Sequence, residues 1–136
     1  MANPNIVDVA TINAGNIGFN LGISSGSIKL MTPAADKVIK INTIICANVD
    51  GTSSADLTLY VTGLGTGATG VTSTGTGYLT ADTDVYIVKT VPIPADSSLS
   101  ILDAPIYLME ADILTGFASA ASDLDLFISY EVLDDA

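Results

Sequence analysis

The alternation of apolar and polar residues constrains the fold of this chain more than any other feature, and it recurs with a period of two residues along most of the sequence. Segments 37–49 and 124–133 show it most clearly. One face of 124–133 carries apolar side chains, namely Leu124, Leu126, Ile128, Tyr130 and Val132. Successive side chains of a strand point to opposite faces, so this pattern is typical of half-buried β-strands. No segment shows the 3.6-residue period of an amphipathic helix.

We therefore predict about eight to ten strands in two sheets, with strands at 6–12, 28–31, 37–49, 56–62, 84–91, 98–102, 106–109, 113–118 and 124–133. The first two show the weaker alternation. Many short strands separated by turn residues favour an all-β, single-domain antiparallel β-sandwich, with a jelly roll as one arrangement of the strands. Because Asp50-Gly51 is a turn signal, we expect 37–49 to pair with 55–62.

The predicted organisation has two parts. Residues 1–35 form an N-terminal arm and the first strands, and residues 36–136 form the β-sandwich core. Within 37–49, Ile44 and Cys46 interrupt the alternation, which predicts that the second half of this strand is covered on both faces. A glycine- and threonine-rich loop at 62–77 is an exposed hairpin tip, a segment that is ordered only against a neighbouring subunit, or one that presents a binding surface.

The charge balance excludes some partners. The chain has a net charge of −11, with four lysines and neither arginine nor histidine. Nucleic-acid binders need a basic surface to neutralise phosphates, so we expect no nucleic-acid partner.

No apolar run approaches the length of about 18 residues that a membrane-spanning helix needs, so no membrane partner is expected either. The N-terminus lacks the basic start and apolar core of a signal peptide, which indicates a protein made in a cytoplasm.

The sequence offers no catalytic residue, cofactor or metal site, and we expect no small-molecule substrate. General acid–base catalysis most often uses histidine, which is absent. Cys46 is the only cysteine, so an intrachain disulfide is excluded. It lies in an apolar run, which indicates a buried side chain. Calcium would be the most reasonable metal, with carboxylates at Asp50/Asp56, Asp82/Asp84 or Asp134/Asp135, but no EF-hand spacing occurs. The glycines of Gly65-x-Gly67-x-x-Gly70 are not followed by helix formers, which argues against dinucleotide binding.

Four motifs resemble one protein family. They are a lysine-led strand ending in ANVDGT at 40–52, KTVPIPADSSL at 89–99, IYLMEAD at 106–112, and SAASDLDLFISYE at 119–131. In this order and spacing they resemble small virion proteins of tailed bacteriophages, of the capsid decoration (cement) type. The similarity covers most of 37–133, while the first 35 residues have no counterpart and the 62–77 loop resembles an insertion.

The resemblance implies a non-enzymatic structural protein on the outer surface of a phage head. Its partner would be the major capsid protein, and the chain would form a homo-oligomer, with a trimer as the expected form. It would reside in the host cytoplasm during assembly and then on the virion. Another virion component (a neck, tail or fibre-associated protein) is the alternative, followed by a carbohydrate-binding or adhesive β-sandwich.

The residues expected to contact partners are apolar and lie outside the shared motifs. Strand addition to a neighbour's sheet edge needs an extended, lightly charged segment, and the N-terminal residues fit this description. The glycine-rich loop supplies two more apolar positions. The predicted interaction residues are Ile6, Val7, Val9, Ile12, Leu64 and Val71.

Overall fold

The computed structural model describes residues 8–23, 28–64 and 83–134. These residues contain nine strands: β1 (Thr11–Asn20), β2 (Lys29–Met31), β3 (Lys37–Asn48), β4 (Ala55–Thr62), β5 (Val85–Ile93), β6 (Ser98–Ser100), β7 (Ile106–Leu108), β8 (Ile113–Ala118) and β9 (Leu124–Asp134). They form two antiparallel sheets packed as a sandwich, so the predicted all-β fold is confirmed. In the same three ranges, no helix has the length and apolarity to cross a membrane.

Sheet A has the order β1-β9-β3, with β6 and β7 both paired to the far side of β3; sheet B has the order β2-β8-β4-β5. The pairs β1:β9, β2:β8, β3:β6/β7 and β4:β5 make the chain one long hairpin, whose tip is the connection between β4 and β5. Within each sheet these pairs are joined side by side, because β9 also pairs with β3 and β8 also pairs with β4. This is the strand order of a jelly roll.

The predicted pairing of 37–49 with 55–62 is wrong. β3 pairs with β9 on one side and with β6 and β7 on the other, while β4 lies in the opposite sheet between β8 and β5. The Asp50-Gly51 turn is present, but residues 49–54 carry the chain across the sandwich. Stacked sheets lie about 10 Å apart, a gap that six residues span easily.

The prediction that the second half of β3 is covered on both faces is also wrong. The register with β9 shifts between Ile41 and Thr43, which is a β-bulge. A bulge inserts one extra residue, so it exchanges the two faces of the strand. Ile39 and Ile41 face the core before the bulge, and the buried side chains of Ile44 and Cys46 face it afterwards.

Of the first predicted strand, 6–12, residues 6 and 7 lie outside the described residues, and residues 8–10 are not in a strand. β1 covers Thr11–Asn20 and pairs along its whole length with β9. Residues 13–20 read NAGNIGFN, and asparagine and glycine are depleted in strands, which is why no strand was predicted there. The remaining predicted strands agree with β2 to β9 to within about two residues at each end.

The core lies between the sheets and is apolar. Its fully buried large side chains include Ile41, Ile44, Leu59, Leu126 and Ile128. Burying one such side chain stabilises the folded state by roughly 1.5–3 kcal/mol. One face of sheet A packs against this core, and the other face points away from it.

Candidate functional site

The outer face of sheet A is the side of β1, β9 and β3 that points away from sheet B. Side chains alternate along β9, so the burial of Leu126 and Ile128 in the core places Phe127 on the outer face. Three rows of paired residues cross the centre of this face: Asn16–Ser129–Thr43, Gly18–Phe127–Ile45 and Asn20–Asp125–Ala47.

Phe127 and Ile45 are the large apolar side chains at the centre of the outer face. They are directly paired, and 47% of Phe127 and 37% of Ile45 are exposed. The small residues Gly18 and Ala47 lie beside them and leave a shallow hollow of about 430 Å³. Aromatic residues, phenylalanine among them, are enriched in protein interfaces compared with the rest of the surface.

The outer face carries little charge for a molecule with a net charge of −11. Lys40 and Glu131 are paired in the register, with 3.8 Å between Nζ and Oε2. The Asp125 carboxylate accepts a hydrogen bond of 2.6 Å from the side-chain amide of Asn20. The centres of protein interfaces are depleted of charged residues, and this face fits that composition.

Strand β1 ends sheet A on one side. It contains no charged residue and no proline, and none of the described residues pairs with its outer side. Exposed edges of this kind offer unpaired backbone groups to another strand.

A second hollow of about 430 Å³ opens between the two sheets, next to β1 and β2. Its walls are largely apolar, with Ile17, Met31 and Val132 among them. Lys37 lies at this hollow, but its ammonium group is ion-paired with Asp134. Ligand pockets combine apolar walls with a few convergent polar groups, and the described side chains here do not converge in that way.

The aspartates considered as calcium ligands accept hydrogen bonds in a turn and at strand ends. Asp50 Oδ1 accepts hydrogen bonds from the backbone N–H and the hydroxyl of Thr52, at 3.0 and 2.9 Å. Asp84 Oδ1 accepts one of 2.7 Å from the Thr62 hydroxyl. Among the described residues there is no group of three or more potential metal ligands from histidine, cysteine, aspartate and glutamate. Asp82 and Asp135 lie outside the described residues.

Cys46 is buried in the core cluster. Burial raises the pKa of its thiol to about 11, and the negative charge of Asp125 adds to this effect. The nucleophilic form of cysteine is the thiolate, so a thiol with this pKa is unreactive near neutral pH.

The predicted interaction residues do not form one surface. Ile6, Val7 and Val71 lie outside the described residues. Val9 is half-buried just before β1, and Ile12 lies in β1 with 62% of its side chain exposed. Leu64 packs partly buried against the core.

Sequence reasoning missed Phe127 and Ile45. The sequence does contain a signal for Phe127, because this aromatic residue lies on the otherwise polar face of 124–133. Ile45 could not be found, because the bulge that turns it outward is not evident from the alternation.

No family model matches the sequence, and no curated protein matches it. Among solved structures the chain is similar to a protein from work entitled "Bacillus endospore appendages form a novel family of disulfide-linked pili". The two share 15% identity over 93% of this chain and 90% of that one, with a TM-score of 0.47. A TM-score below 0.5 carries no argument from that protein to this one.

Proposed function

We propose that this chain is a non-enzymatic structural subunit of a multi-subunit protein assembly. The observation that carries the proposal is the charge-poor outer face of sheet A, with Phe127 and Ile45 exposed beside a hollow. An exposed apolar centre of this kind, on a molecule that is otherwise strongly acidic, supports a role of this face in protein interaction.

The sandwich supports this face as a rigid platform. β9 and β3 pair over eleven residue pairs, and their opposite faces are held by the core. A platform made by regular strands needs little ordering on binding, so less of the contact energy is lost as entropy. A modest interface for each copy is enough when many copies bind a repetitive surface.

More specifically, we propose that the assembly is a phage virion and that the chain decorates the head by binding the major capsid protein. Support comes from the four motifs between residues 40 and 131. Placement in the neck, tail or fibres is the alternative. Trimer formation remains part of this proposal.

Co-sedimentation tests the proposed function. The full chain is mixed separately with DNA-filled phage heads and with tails, and wild type is compared with Phe127→Ser. Tyr86→Ser is the matched control, because 44% of Tyr86 is exposed and it lies on β5 of the other sheet. We expect wild type and Tyr86→Ser to sediment with heads, and Phe127→Ser to lose binding by about tenfold or more, as for an interface hot spot.

Other outcomes of this experiment would favour the alternative functions. Binding to tails alone would replace the head placement by the second virion role. Filaments of the isolated chain in electron micrographs, without binding to either particle, would favour a self-assembling appendage. Binding to glycans alone would favour an adhesive module. Equal binding of wild type and Phe127→Ser would show that the outer face is not the contact.

A further inference from the structure

Over the described residues the two sheets have four edges, and three of them have features that hinder strand addition. β2, β6 and β7 are three residues long each, so they offer few backbone groups. β5 is longer, but it contains Lys89 and Pro92, and its register with β4 shifts twice. Short strands, charges, proline and irregular pairing are the means by which proteins protect sheet edges.

β1 has none of these features. Its ten residues read TINAGNIGFN, and its register with β9 is unbroken from Thr11 to Asn20. Its first four residues are all exposed. A long, regular and uncharged edge is a template for pairing with another strand.

The register defines which backbone groups of β1 point outward. The N–H of Leu21 donates to the carbonyl of Leu124 at 2.9 Å, and the pair continues the β1–β9 register. Hydrogen-bonded and non-hydrogen-bonded pairs alternate in an antiparallel ladder. The odd-numbered residues of β1 are therefore bonded to β9. The even-numbered residues direct their N–H and C=O groups to the free edge: Ile12, Ala14, Asn16, Gly18 and Asn20.

We propose that the free edge of β1 pairs antiparallel with β1 of a second copy of this chain. The two copies are related by a two-fold axis perpendicular to the sheet, so the two A sheets become one. This inference rests on the proposed role as an assembly subunit and names one of its contacts.

The absence of charge on β1 is the reason to name a second copy as the occupant. Each copy has a net charge of −11, so most self-contacts would bring like charges together. β1 is a long stretch without an acidic residue, and two copies can meet there without that cost. A different protein that recognised this chain by charge complementarity would bind a surface that carries acidic residues, and β1 carries none.

The geometry also suits self-pairing. Residues that face each other across an antiparallel pair share one face of the sheet. Under the two-fold axis, even-numbered residues of one β1 oppose even-numbered residues of the other. Of these, Ala14 and Gly18 are small, and the amide side chain of Asn16 can donate and accept hydrogen bonds. The amide nitrogen of Asn20 already donates to the Ser122 carbonyl and the Asp125 carboxylate, so only its oxygen can accept. All outward backbone groups in the overlap would therefore find partners.

Sedimentation of the full chain and of three variants tests the proposal. Ala14→Pro removes an outward N–H and keeps the hydrogen bonds to β9, because proline is tolerated on edge strands where its nitrogen faces solvent. Asn16→Lys places a charge on the edge. Ser129→Lys is its control, because Ser129 is the partner of Asn16 one strand further in, on the same face. Thermal melting checks that each variant is folded.

We expect wild type and Ser129→Lys to associate through β1, as dimers or, where the proposed trimer also forms, as two trimers joined by β1 contacts. Ala14→Pro and Asn16→Lys should weaken dimerisation by about tenfold or more, since the proline alone removes two hydrogen bonds per dimer. Residue-resolved hydrogen exchange should show protection of the even-numbered amides of β1 in wild type and its loss in Ala14→Pro. The odd-numbered amides should be protected in both.

The proposal is overturned if wild type stays monomeric up to about 1 mM, where even weak interfaces associate. It is also overturned if folded Ala14→Pro forms the same oligomer with unchanged affinity. Because particle binding is measured separately, a monomeric chain that still binds heads through Phe127 would remove this inference and leave the proposed function standing.

Discussion

Gly15 and Gly18 lie in the same strand, β1, but have different surroundings. A Cβ at Gly15 would lie 2.7 Å from the hydroxyl oxygen of Tyr130 and 2.8 Å from its Cζ. At Gly18 the nearest atom would be the carbonyl oxygen of Leu126, at 3.8 Å, which is ordinary contact. The ring of Tyr130 therefore occupies the space that a side chain at position 15 would need.

Gly15→Ala should destabilise the protein by about 1–3 kcal/mol, because the Tyr130 ring must move from its packed position. Gly18→Ala is the matched control and should change stability by less than about 1 kcal/mol, with a gain in strand propensity. Urea unfolding of both variants measures the difference. Equal effects of the two substitutions would contradict the assigned packing.

Asp112 is a buried carboxylate in the turn between β7 and β8. Burial raises its pKa above the ordinary value of 3.8, and a hydrogen bond of 2.8 Å from the Met109 N–H opposes that shift. The folded state consequently binds a proton more readily than the unfolded state at this site. Its contribution to stability is largest below pH 3.8 and falls as the pH rises through the raised value.

The variant Asp112→Asn cannot titrate at this position. The free energy of unfolding of wild type, minus that of Asp112→Asn, should therefore decrease as the pH rises from 3 towards neutrality. Urea unfolding of both proteins at a series of pH values measures this difference. A difference that increases with pH would mean that the folded protein favours the charged form of Asp112.

The connection between β3 and β4 decides which sheet each strand enters, and Asn48 holds it. The side chain of Asn48 is buried, and its amide donates to the carbonyls of Ser53 and Ile93 at 3.0 and 2.8 Å. Its oxygen accepts from the N–H of Asp50 at 2.9 Å. One side chain thus ties the end of β3 to the crossing turn and to the end of β5.

Asn48→Ala should cost about 2–4 kcal/mol, because it removes three hydrogen bonds and leaves a buried carbonyl without its partner. Thr52→Ala, which loses an exposed hydrogen bond to Asp50 in the same turn, should cost no more than about 1 kcal/mol. Denaturant unfolding compares them. If the two losses were similar, the turn would not depend on Asn48.

On the scale of the whole molecule, 15 acidic residues face only four lysines. Only two ion pairs are present among the described residues, Lys37–Asp134 and Lys40–Glu131. Much of the negative charge therefore acts as mutual repulsion, which destabilises a compact state.

Salt should stabilise this protein. Raising NaCl from about 10 mM to about 300 mM shortens the screening length from about 30 Å to less than 10 Å, which weakens the repulsion between acidic residues. We expect the urea midpoint to rise over this range. KCl at the same ionic strength should act equally if screening is the cause. A midpoint that stays constant or falls with salt would contradict the repulsion.

Strand positions could be predicted from the sequence because the signals for them are local. Alternation within a segment such as 124–133 requires one buried face whatever the partner strand is, and turn residues define the ends. β1 was misplaced because it contains residues that are rare in strands, and one of them, Gly15, is required by a distant residue. Gly15 accommodates Tyr130, which lies 115 positions later in the sequence, and no local pattern reports such a contact.

By itself, the sequence determined that the chain is all-β, which segments from β2 to β9 are strands, and that the surface is acidic. Only the tertiary structure decided that β3 and β4 lie in different sheets, that a bulge turns Ile45 outward beside Phe127, and that β1 is an edge strand among the described residues. The physical reason is that backbone hydrogen bonds are alike in every strand pair. The choice of partner therefore depends on how all the apolar faces pack together, not on any one segment.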